Sequence, residues 1–303
     1  MTRVPTRSII SGFLALLTAL PAHASAMAGE VQPTSRPFFC FCVGLPRNSN
    51  LEFQCTIPKL AAELGYDGLA YTSLADAPQM LQAVRQQNLQ MFAVYTTVNV
   101  DPGQPGYDPR LLEMIDSLKG SPTIVWLGVV SKQYKPQSTE GDDRAVELLR
   151  QVADRAAAAG LRVALYPHVR FYAERMDDLL RLIDKVDRPN VGLTFNLCHF
   201  LAAEDPASME QVLRRAGARL FLVSINGTSG FDPKNRANWI LPLDSGTFDL
   251  VPLMKLLDQI DYRGPVGMQC YGIPGEPRAI LERSILAWRD LNRRAPSRTG
   301  AQP

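Results

Sequence analysis

The sequence predicts an α/β fold, a single (β/α)8 TIM barrel, and three observations support this. Eight apolar segments of strand length alternate along the chain with eight segments of helical period. The apolar segments are continuous, as is typical of parallel strands that are covered on both faces. Glycines that end helices come shortly before several strands, as in "ELGYDGLAY" and "AAGLRVALY", and such short joints suit repeated βα units. Eight such units close a barrel.

The predicted strands are the apolar segments themselves, and the predicted helices lie between them. The strands span residues 38–45, 67–72, 90–98, 123–130, 162–169, 191–198, 220–226 and 265–271. The helices span residues 56–65, 75–89, 108–118, 142–160, 173–186, 206–216, 248–260 and 277–293. The fourth helix has the clearest pattern, because its apolar residues fall on one face and Gly160 follows its last turn.

A doubly wound open sheet is the competing α/β architecture. Such a sheet would need a glycine-rich phosphate loop after its first strand, and the chain has "VGLPRNSN" at that place. A long polar loop, "SKQYKPQSTEGDD" at 131–143, has two interpretations. It is either a solvated connection or a lid over the barrel mouth.

The first 28 residues have the pattern of a secretory signal peptide. Arg3 and Arg7 precede the apolar run "IISGFLALLTAL", and the small residues "PAHASAMA" follow it. Cleavage would follow Ala24, Ala26 or Ala28, and an uncleaved anchor is the alternative, although the apolar run is short for one. We therefore expect an exported protein, periplasmic or secreted, with tails at 29–37 and 295–303 around a barrel at 38–294.

Composition limits the partners of the chain. The 32 Lys and Arg nearly balance the 30 Asp and Glu, which argues against nucleic acid as a partner. No stretch after the signal peptide approaches the roughly 18 apolar residues that span a bilayer.

The five cysteines show no zinc-site spacing. Because an exported protein meets an oxidising compartment, one disulfide between neighbouring strands is an alternative that the sequence does not decide. Most of the cysteines suit buried apolar positions.

Polar and aromatic residues gather at the predicted ends of strands five and six. Tyr166 and His168 are two residues apart and share one strand face. Tyr166 is either a proton donor or a packed rim residue, and His168 is either a site residue or a structural one. Asn196 and Cys198 share a face of the sixth strand, and His199 starts the turn. Asn196 either contacts a ligand or caps the next helix.

The ends of strands seven and eight add amides. Asn226 precedes a glycine and marks either a turn or an amide that binds a hydroxyl. Gln269 shares a face with Tyr271, and because a buried amide needs partners, Gln269 is the best single indication of a polar pocket. Trp126 and Tyr95 are either aromatic floors for a ring or core residues. A mouth rich in amides and aromatics and poor in carboxylates suits a polyhydroxylated ligand such as a sugar.

Several stretches resemble the xylose isomerase-like TIM barrels, a superfamily of sugar phosphate isomerases and epimerases. They include "LAAELGYDGLAY", "LRVALYPHVRFY", "VDRPNVGLTFNLCHFLA" and "YRGPVGMQCYGI". The form with "NLCH" is similar to an exported branch of this family. The resemblance implies that Glu, Asp, His and Glu at four strand ends hold a divalent metal, and that the two Glu move a proton on a sugar carbon.

This sequence departs from that pattern at all four positions. The matching residues are Tyr166, Asn196, Ser224 with Asn226 as the alternative, and Gln269, while His199 matches a histidine that accompanies the Asp. Divalent ions such as Mn²⁺ and Mg²⁺ prefer charged oxygen ligands, and neutral amides neither offset the ion's charge nor act as bases. We therefore expect no cofactor, with weak binding of a divalent metal left open.

Two hypotheses for the function follow. In the first, the chain is an isomerase- or epimerase-like enzyme with a small-molecule carbohydrate as substrate. His168 and His199 are then the catalytic acid and base. The substrate-binding residues are Tyr166, Asn196, Asn226, Gln269, Tyr271 and Trp126. In the second, the chain is a non-catalytic carbohydrate-binding barrel. A nuclease is disfavoured because the chain has neither a carboxylate metal cluster nor basic charge.

Overall fold

The structure is a computed structural model that describes residue 1, residues 36–47 and residues 49–295. The barrel lies entirely within the unit Pro33–Pro303. The predicted signal peptide, apart from Met1, and most of the two predicted tails lie outside the described residues.

Eight parallel strands form a closed barrel in the order of the chain, β1 to β8, with β8 pairing β1. The predicted single (β/α)8 barrel is therefore confirmed. The strands are β1 Phe38–Phe41, β2 Gly68–Tyr71, β3 Gln90–Asn99, β4 Ile124–Val130, β5 Val163–Tyr166, β6 Val191–Asn196, β7 Leu220–Ile225 and β8 Val266–Gln269.

Nine α-helices lie between or after the strands in the described part of the chain. They are α1 Asn50–Leu64, α2 Ala77–Gln86, α3 Arg110–Ser117, α4 Asp142–Ala158, α5 Met176–Val186, α6 Leu197–Ala203, α7 Met209–Ala216, α8 Val251–Gln259 and α9 Pro277–Arg294. The fourth predicted helix agrees with α4 to within two residues, because its long apolar stripe packs on the barrel with Ala145, Leu149 and Val152 fully buried.

Helix α6 was not predicted, and it corrects the interpretation of "NLCH". Strand β6 ends at Asn196, whose side-chain Oδ1 accepts the backbone N–H of His199 at 3.1 Å. An Asn at this place satisfies one of the free N–H groups of a helix start. Cys198 therefore does not belong to the strand, and His199 lies in the first turn of a helix rather than in a loop. The capping alternative for Asn196 is confirmed.

Helix α1 begins six residues before its predicted start at residue 56. The side chain of Ser49 accepts the backbone N–H of Glu52 at 3.0 Å. Ser followed three residues later by Glu is a signal for a helix start, and "SNLE" at 49–52 contains it.

The barrel interior is filled with aromatic side chains. Phe39 stacks on Phe92, and Phe41 lies 4.5 Å from Trp126 between ring centroids. Trp126 in turn meets the ring of Tyr166 edge-on at 4.9 Å. The interior is thus a packed core rather than a channel. Any cavity at the mouth of the barrel is therefore closed at its bottom by packed side chains.

All five cysteines are free thiols, so the structure contains no disulfide between neighbouring strands. Cys40, Cys42, Cys198 and Cys270 are buried, in agreement with the apolar role expected for most of them, whereas Cys55 is exposed. None of the helices in the described residues is long and apolar enough to cross a membrane.

Candidate functional site

A cavity of about 310 Å³ opens at the carboxyl ends of the strands. In (β/α)8 enzymes the active site lies at this end of the barrel. The cavity walls come from the ends of β1, β3, β5 and β8, from α6, and from the loops after β5 and β7. The lining residues are Phe41, Val43, Tyr95, Tyr166, His168, Val169, Arg170, Phe171, His199, Arg236, Trp239, Ile240, Gln269 and Tyr271.

Three buried residues form a neutral hydrogen-bonded group at the base of the cavity, which we name the floor cluster: Tyr166, Asn196 and Gln269. Asn196 Nδ2 donates to the hydroxyl oxygen of Tyr166 at 3.0 Å, and Gln269 Nε2 donates to the same oxygen at 3.2 Å. The two amide oxygens accept backbone N–H groups, of His199 at 3.1 Å and of Tyr271 at 3.2 Å. These backbone donors fix the orientation of both amides.

One hydrogen-bond donor of the floor cluster, the O–H of Tyr166, is not used within the cluster. The oxygen of Tyr166 accepts from both amides, so its own O–H remains available for a ligand oxygen in the cavity. Burial raises the pKa of Tyr166 well above its usual value, and the hydroxyl therefore stays protonated. A buried donor held in place by two other side chains can stabilise negative charge that develops on a substrate oxygen.

Two histidines in contact, His168 and His199, lie beside the floor cluster, with their rings tilted by 39°. The ring of His168 lies between those of His199 and Phe171, with centroid distances of 3.9 Å to each. His168 Nδ1 is 2.8 Å from the carbonyl oxygen of Val169. A carbonyl only accepts, so Nδ1 carries the proton and Nε2 keeps a free lone pair.

Both histidines are neutral at neutral pH. Burial lowers the pKa of His168 to about 4. Burial and then the nearby charge of His168 lower the pKa of His199 well below its usual value. His199 is 4% exposed, and its Nδ1 has no hydrogen-bond partner among the described residues. Both rings are therefore uncharged at rest, and each can accept a second proton.

Five of the eight residues proposed from the sequence line the cavity: Tyr166, His168, His199, Gln269 and Tyr271. The other three lie behind its surface. Asn196 is fully buried behind Tyr166, and Trp126 is fully buried in the barrel interior. Asn226 is also buried, where its Nδ2 donates to the carbonyl oxygens of Gly227 and Trp239 at 2.7 and 3.0 Å.

The loop after β7 supplies a wall that the sequence did not reveal. Gly227 and Leu241 form an isolated antiparallel bridge that folds this loop back on itself. Gly227 is required there, because a Cβ atom would lie 2.0 Å from the carbonyl oxygen of Pro242. Trp239 Nε1 then donates to the carbonyl oxygen of Cys198 at 2.7 Å, which ties the loop to α6. By contrast, the loop at 131–143 contributes no lining residue.

A comparison with known families identifies the fold family. A model described as the xylose isomerase-like TIM barrel matches residues 58–291. The chain belongs to the xylose isomerase-like TIM barrel family. An L-ribulose 3-epimerase from Methylomonas sp. (strain DH-1) is 26% identical over 252 residues, which cover 76% of this chain and 82% of that protein.

Solved structures show the same fold. The 3-keto-D-glucoside 4-epimerase from E. coli superimposes with a TM-score of 0.67 at 18% identity, over 84% of this chain and 98% of that one. A D-allulose 3-epimerase from Methylomonas sp. also gives 0.67 at 18% identity, over 86% of this chain and 99% of that one.

The residues at the family's metal positions do not fit a divalent ion. No group of three or more His, Cys, Asp or Glu in the described residues could hold a metal. Asn196 Oδ1 already accepts two donors, His199 N–H at 3.1 Å and Cys198 Sγ at 3.0 Å, and Gln269 Oε1 accepts Tyr271 N–H at 3.2 Å. The remaining candidates, Ser224 Oγ and Asn226 Oδ1, are buried and have no hydrogen-bond partner within the described part of the chain. Both are neutral and cannot offset a double charge in a buried site.

Proposed function

We propose that the chain is an exported, sugar isomerase- or epimerase-like enzyme that acts on a sugar or sugar derivative without the divalent-metal mechanism typical of its family. Family membership supports a sugar-acting enzyme, and the similar proteins include an L-ribulose 3-epimerase. The observation that carries the proposal is that one cavity holds both the floor cluster and a neutral histidine, His168, whose Nε2 has a free lone pair.

The chemistry we propose is proton transfer at a carbon next to a carbonyl group. His168 Nε2 takes the proton from that carbon, the electron pair of the C–H bond forms a carbon–carbon double bond, and the π pair of the carbonyl moves onto its oxygen. The O–H of Tyr166 donates a hydrogen bond to this oxygen as its charge develops. Delivery of a proton to the opposite face of the same carbon inverts the centre. Delivery to the former carbonyl carbon, with transfer of the neighbouring hydroxyl proton to the enolate oxygen, isomerises the sugar.

Because the pKa of His168 is low, the floor cluster must stabilise the negative charge that develops on the substrate oxygen. A histidine with a pKa of about 4 is a weak base, so removal of the proton depends on stabilisation of the developing oxyanion. The same histidine is a strong acid once protonated, and it returns the proton readily. His199, which contacts the His168 ring, is the second group that can carry a proton.

Exchange of substrate C–H protons for deuterium in D₂O tests this chemistry directly. Neutral and oxidised sugars are incubated with the protein and followed by NMR for exchange and for new isomers. We expect the His168→Ala, His199→Ala double variant to lose on the order of 10²-fold or more of the exchange rate. Tyr95→Phe, in the same cavity wall, is the control that keeps it. Unchanged exchange in the double variant removes the two histidines from the mechanism.

A second candidate is a carbohydrate-binding barrel without a reaction. The same floor cluster supports it, because its amides suit hydroxyl groups but do not titrate. A sugar that raises the melting temperature, yet shows neither isomer formation nor deuterium exchange after long incubation, would favour this candidate over the enzyme.

Export rests on the sequence pattern of residues 1–28. Expression in a bacterial host with an intact export system should yield a chain that begins after Ala24, Ala26 or Ala28. N-terminal sequencing and intact mass of the periplasmic fraction measure this. A chain that keeps Met1 and stays with the membrane fraction would indicate an uncleaved anchor instead.

A further inference from the structure

The residues that line the cavity carry positive charge and include no acid. Arg170 and Arg236 are the only two charged residues among its fourteen lining residues, and none of the fourteen is Asp or Glu. The two histidines of the wall are neutral, because burial depresses their pKa values. A ligand in this cavity therefore meets a formal charge of two guanidinium groups.

Neither arginine is engaged in an ion pair with the described residues, although most described arginines are. Arg170 follows β5 and has a left-handed backbone, φ 72°. Only its backbone N–H is used, in a 2.7 Å hydrogen bond to Glu174 Oε1. The other oxygen of Glu174 accepts Gln137 Nε2 at 3.0 Å. This carboxylate keeps its negative charge beside the cavity, but it makes no ion pair with the guanidinium of Arg170 among the described residues. The guanidinium of Arg170 thus remains free for a ligand.

Arg236 belongs to the loop after β7 and stands over an aromatic ring. Its guanidinium lies 5.8 Å from the ring centroid of Trp239, a cation–π contact that leaves the N–H groups at the edges of the guanidinium plane free. Trp239 itself is fixed by the hydrogen bond from its Nε1 to Cys198. Two separate loops therefore each bring one guanidinium to the same cavity.

The wall also has an apolar part. Phe41, Val43, Phe171 and Ile240 present apolar surface to the cavity. Both arginines of the cavity are exposed, so water screens part of their attraction, but a cleft lined by one sign of charge still focuses its field on a bound anion. The cavity suits a small ligand with an apolar ring face, hydroxyl or carbonyl oxygens for the floor cluster, and an anionic end.

We propose that the ligand of this cavity is a sugar acid, a monosaccharide derivative whose carboxylate is bound by Arg170 and Arg236 while its carbonyl or hydroxyl end meets the floor cluster. This deepens the proposed function and, for turnover, rests on it. A planar carboxylate matches the guanidinium fork. A phosphate would favour a nest of backbone N–H groups, and the loop after β1, "VGLPRNSN", has no glycine-rich phosphate motif.

Calorimetric binding of matched sugars tests the assignment without any need for turnover. D-galacturonate and D-glucuronate are compared with D-galactose and D-glucose, which differ only in bearing a CH₂OH group for the carboxylate, and with D-glucose 6-phosphate. We expect at least one uronate to bind about tenfold or more tightly than its neutral counterpart, with an affinity that falls as salt is added.

Variants of the two arginines test whether the tighter binding of uronates depends on Arg170 and Arg236. Arg170→Met and Arg236→Met should each weaken uronate binding about fivefold or more and leave the neutral sugar unchanged. Arg162→Met is the matched control, because Arg162 also lies over an aromatic ring, Phe221 at 4.6 Å, but precedes β5 and is absent from the cavity wall. This control should bind uronate as the unmodified chain does.

The outcomes separate this inference from the proposed function. Uronates that bind tightly without deuterium exchange support the anion site and contradict the enzyme. Neutral sugars that exchange deuterium while no uronate binds more tightly than its counterpart support the enzyme and overturn the anion site. Tighter binding of the 6-phosphate than of any uronate, or uronate binding that survives both cavity variants, overturns the carboxylate assignment.

Discussion

At the scale of single residues, the hydroxyl of Tyr166 holds the floor cluster together. It is the acceptor for both Asn196 Nδ2 and Gln269 Nε2, all within a buried site. Tyr166→Phe removes that acceptor and leaves two buried donors without a partner. We expect the free energy of unfolding to fall by about 1–3 kcal/mol, as measured by urea denaturation.

Tyr95→Phe is the control for this variant. Tyr95 lines the same cavity and contacts the ring of Tyr166 edge-on at 5.2 Å, and its hydroxyl makes no hydrogen bond to the described residues. Its removal should change stability little. Equal losses in the two variants would mean that the floor cluster does not depend on the Tyr166 hydroxyl.

The two histidines predict how stability depends on pH. The pKa of His168 is lowered to about 4, and that of His199 is lowered well below its usual value, whereas both lie near 6.5 in the unfolded chain. At a pH between the folded and the unfolded pKa of each histidine, the unfolded chain binds more protons than the folded chain. Stability is therefore full above about pH 6.5 and falls as the pH falls through this window, by about 1.4 kcal/mol per pH unit for each proton.

Comparison with variants isolates this contribution from that of the carboxylates. Urea denaturation between pH 7 and 5 should give a smaller slope for His168→Gln and for His199→Gln than for the unmodified chain. A slope that is the same in all three proteins would show that neither histidine is neutral because of burial.

At the scale of elements, Asp142 joins three segments around the loop that carries His168. It is the first residue of α4, and it accepts the hydroxyl of Tyr172 at 2.6 Å, Lys185 Nζ at 2.8 Å and Arg181 Nε at 3.0 Å. Lys185 and Arg181 belong to α5, and Tyr172 lies four residues after His168. The network thus fixes the segment after β5 against two helices.

We expect Asp142→Asn to lower the free energy of unfolding by about 1–3 kcal/mol, because it removes the negative charge that pairs with Arg181 and Lys185. The loss stays moderate because these two cations are partly exposed and can be solvated. Asp154→Asn on the same helix is the control. Asp154 pairs with Arg188 at the surface, at 2.6 Å with 57% of its side chain exposed, so its loss should change stability little. Urea denaturation measures both, and similar effects would contradict a structural role for the buried network.

The elements also show where sequence patterns are informative. Long helices with wide apolar faces, such as α4, and continuous apolar strands such as β4 were predicted nearly to their ends, because burial against the barrel dictates their pattern. The seven-residue helix α6 was missed, because "LCHFLAA" is apolar apart from His199 and continues the run of β6. Only the Asn196 cap marks the boundary, and a single Asn also suits a turn.

At the scale of the whole molecule, the cavity combines residues that the sequence reveals with residues that it does not. Side chains at strand ends, such as Tyr166 and Gln269, can be placed at the mouth because all strands of the barrel end there. Arg236 and Trp239 lie more than ten residues beyond the end of β7. Their positions depend on how that loop folds back, which no local pattern specifies, and the charge of the cavity could not be predicted for this reason.

The metal content of the purified protein tests the central claim, that a neutral floor cluster replaces the metal site of the family. The protein is dialysed against Mn²⁺, Mg²⁺ or Zn²⁺, desalted and subjected to elemental analysis, and its melting temperature is measured with and without EDTA. We predict no stoichiometric ion and the same melting temperature in both conditions. A stoichiometric ion that is retained by the unmodified chain and lost in Tyr166→Phe would contradict the claim.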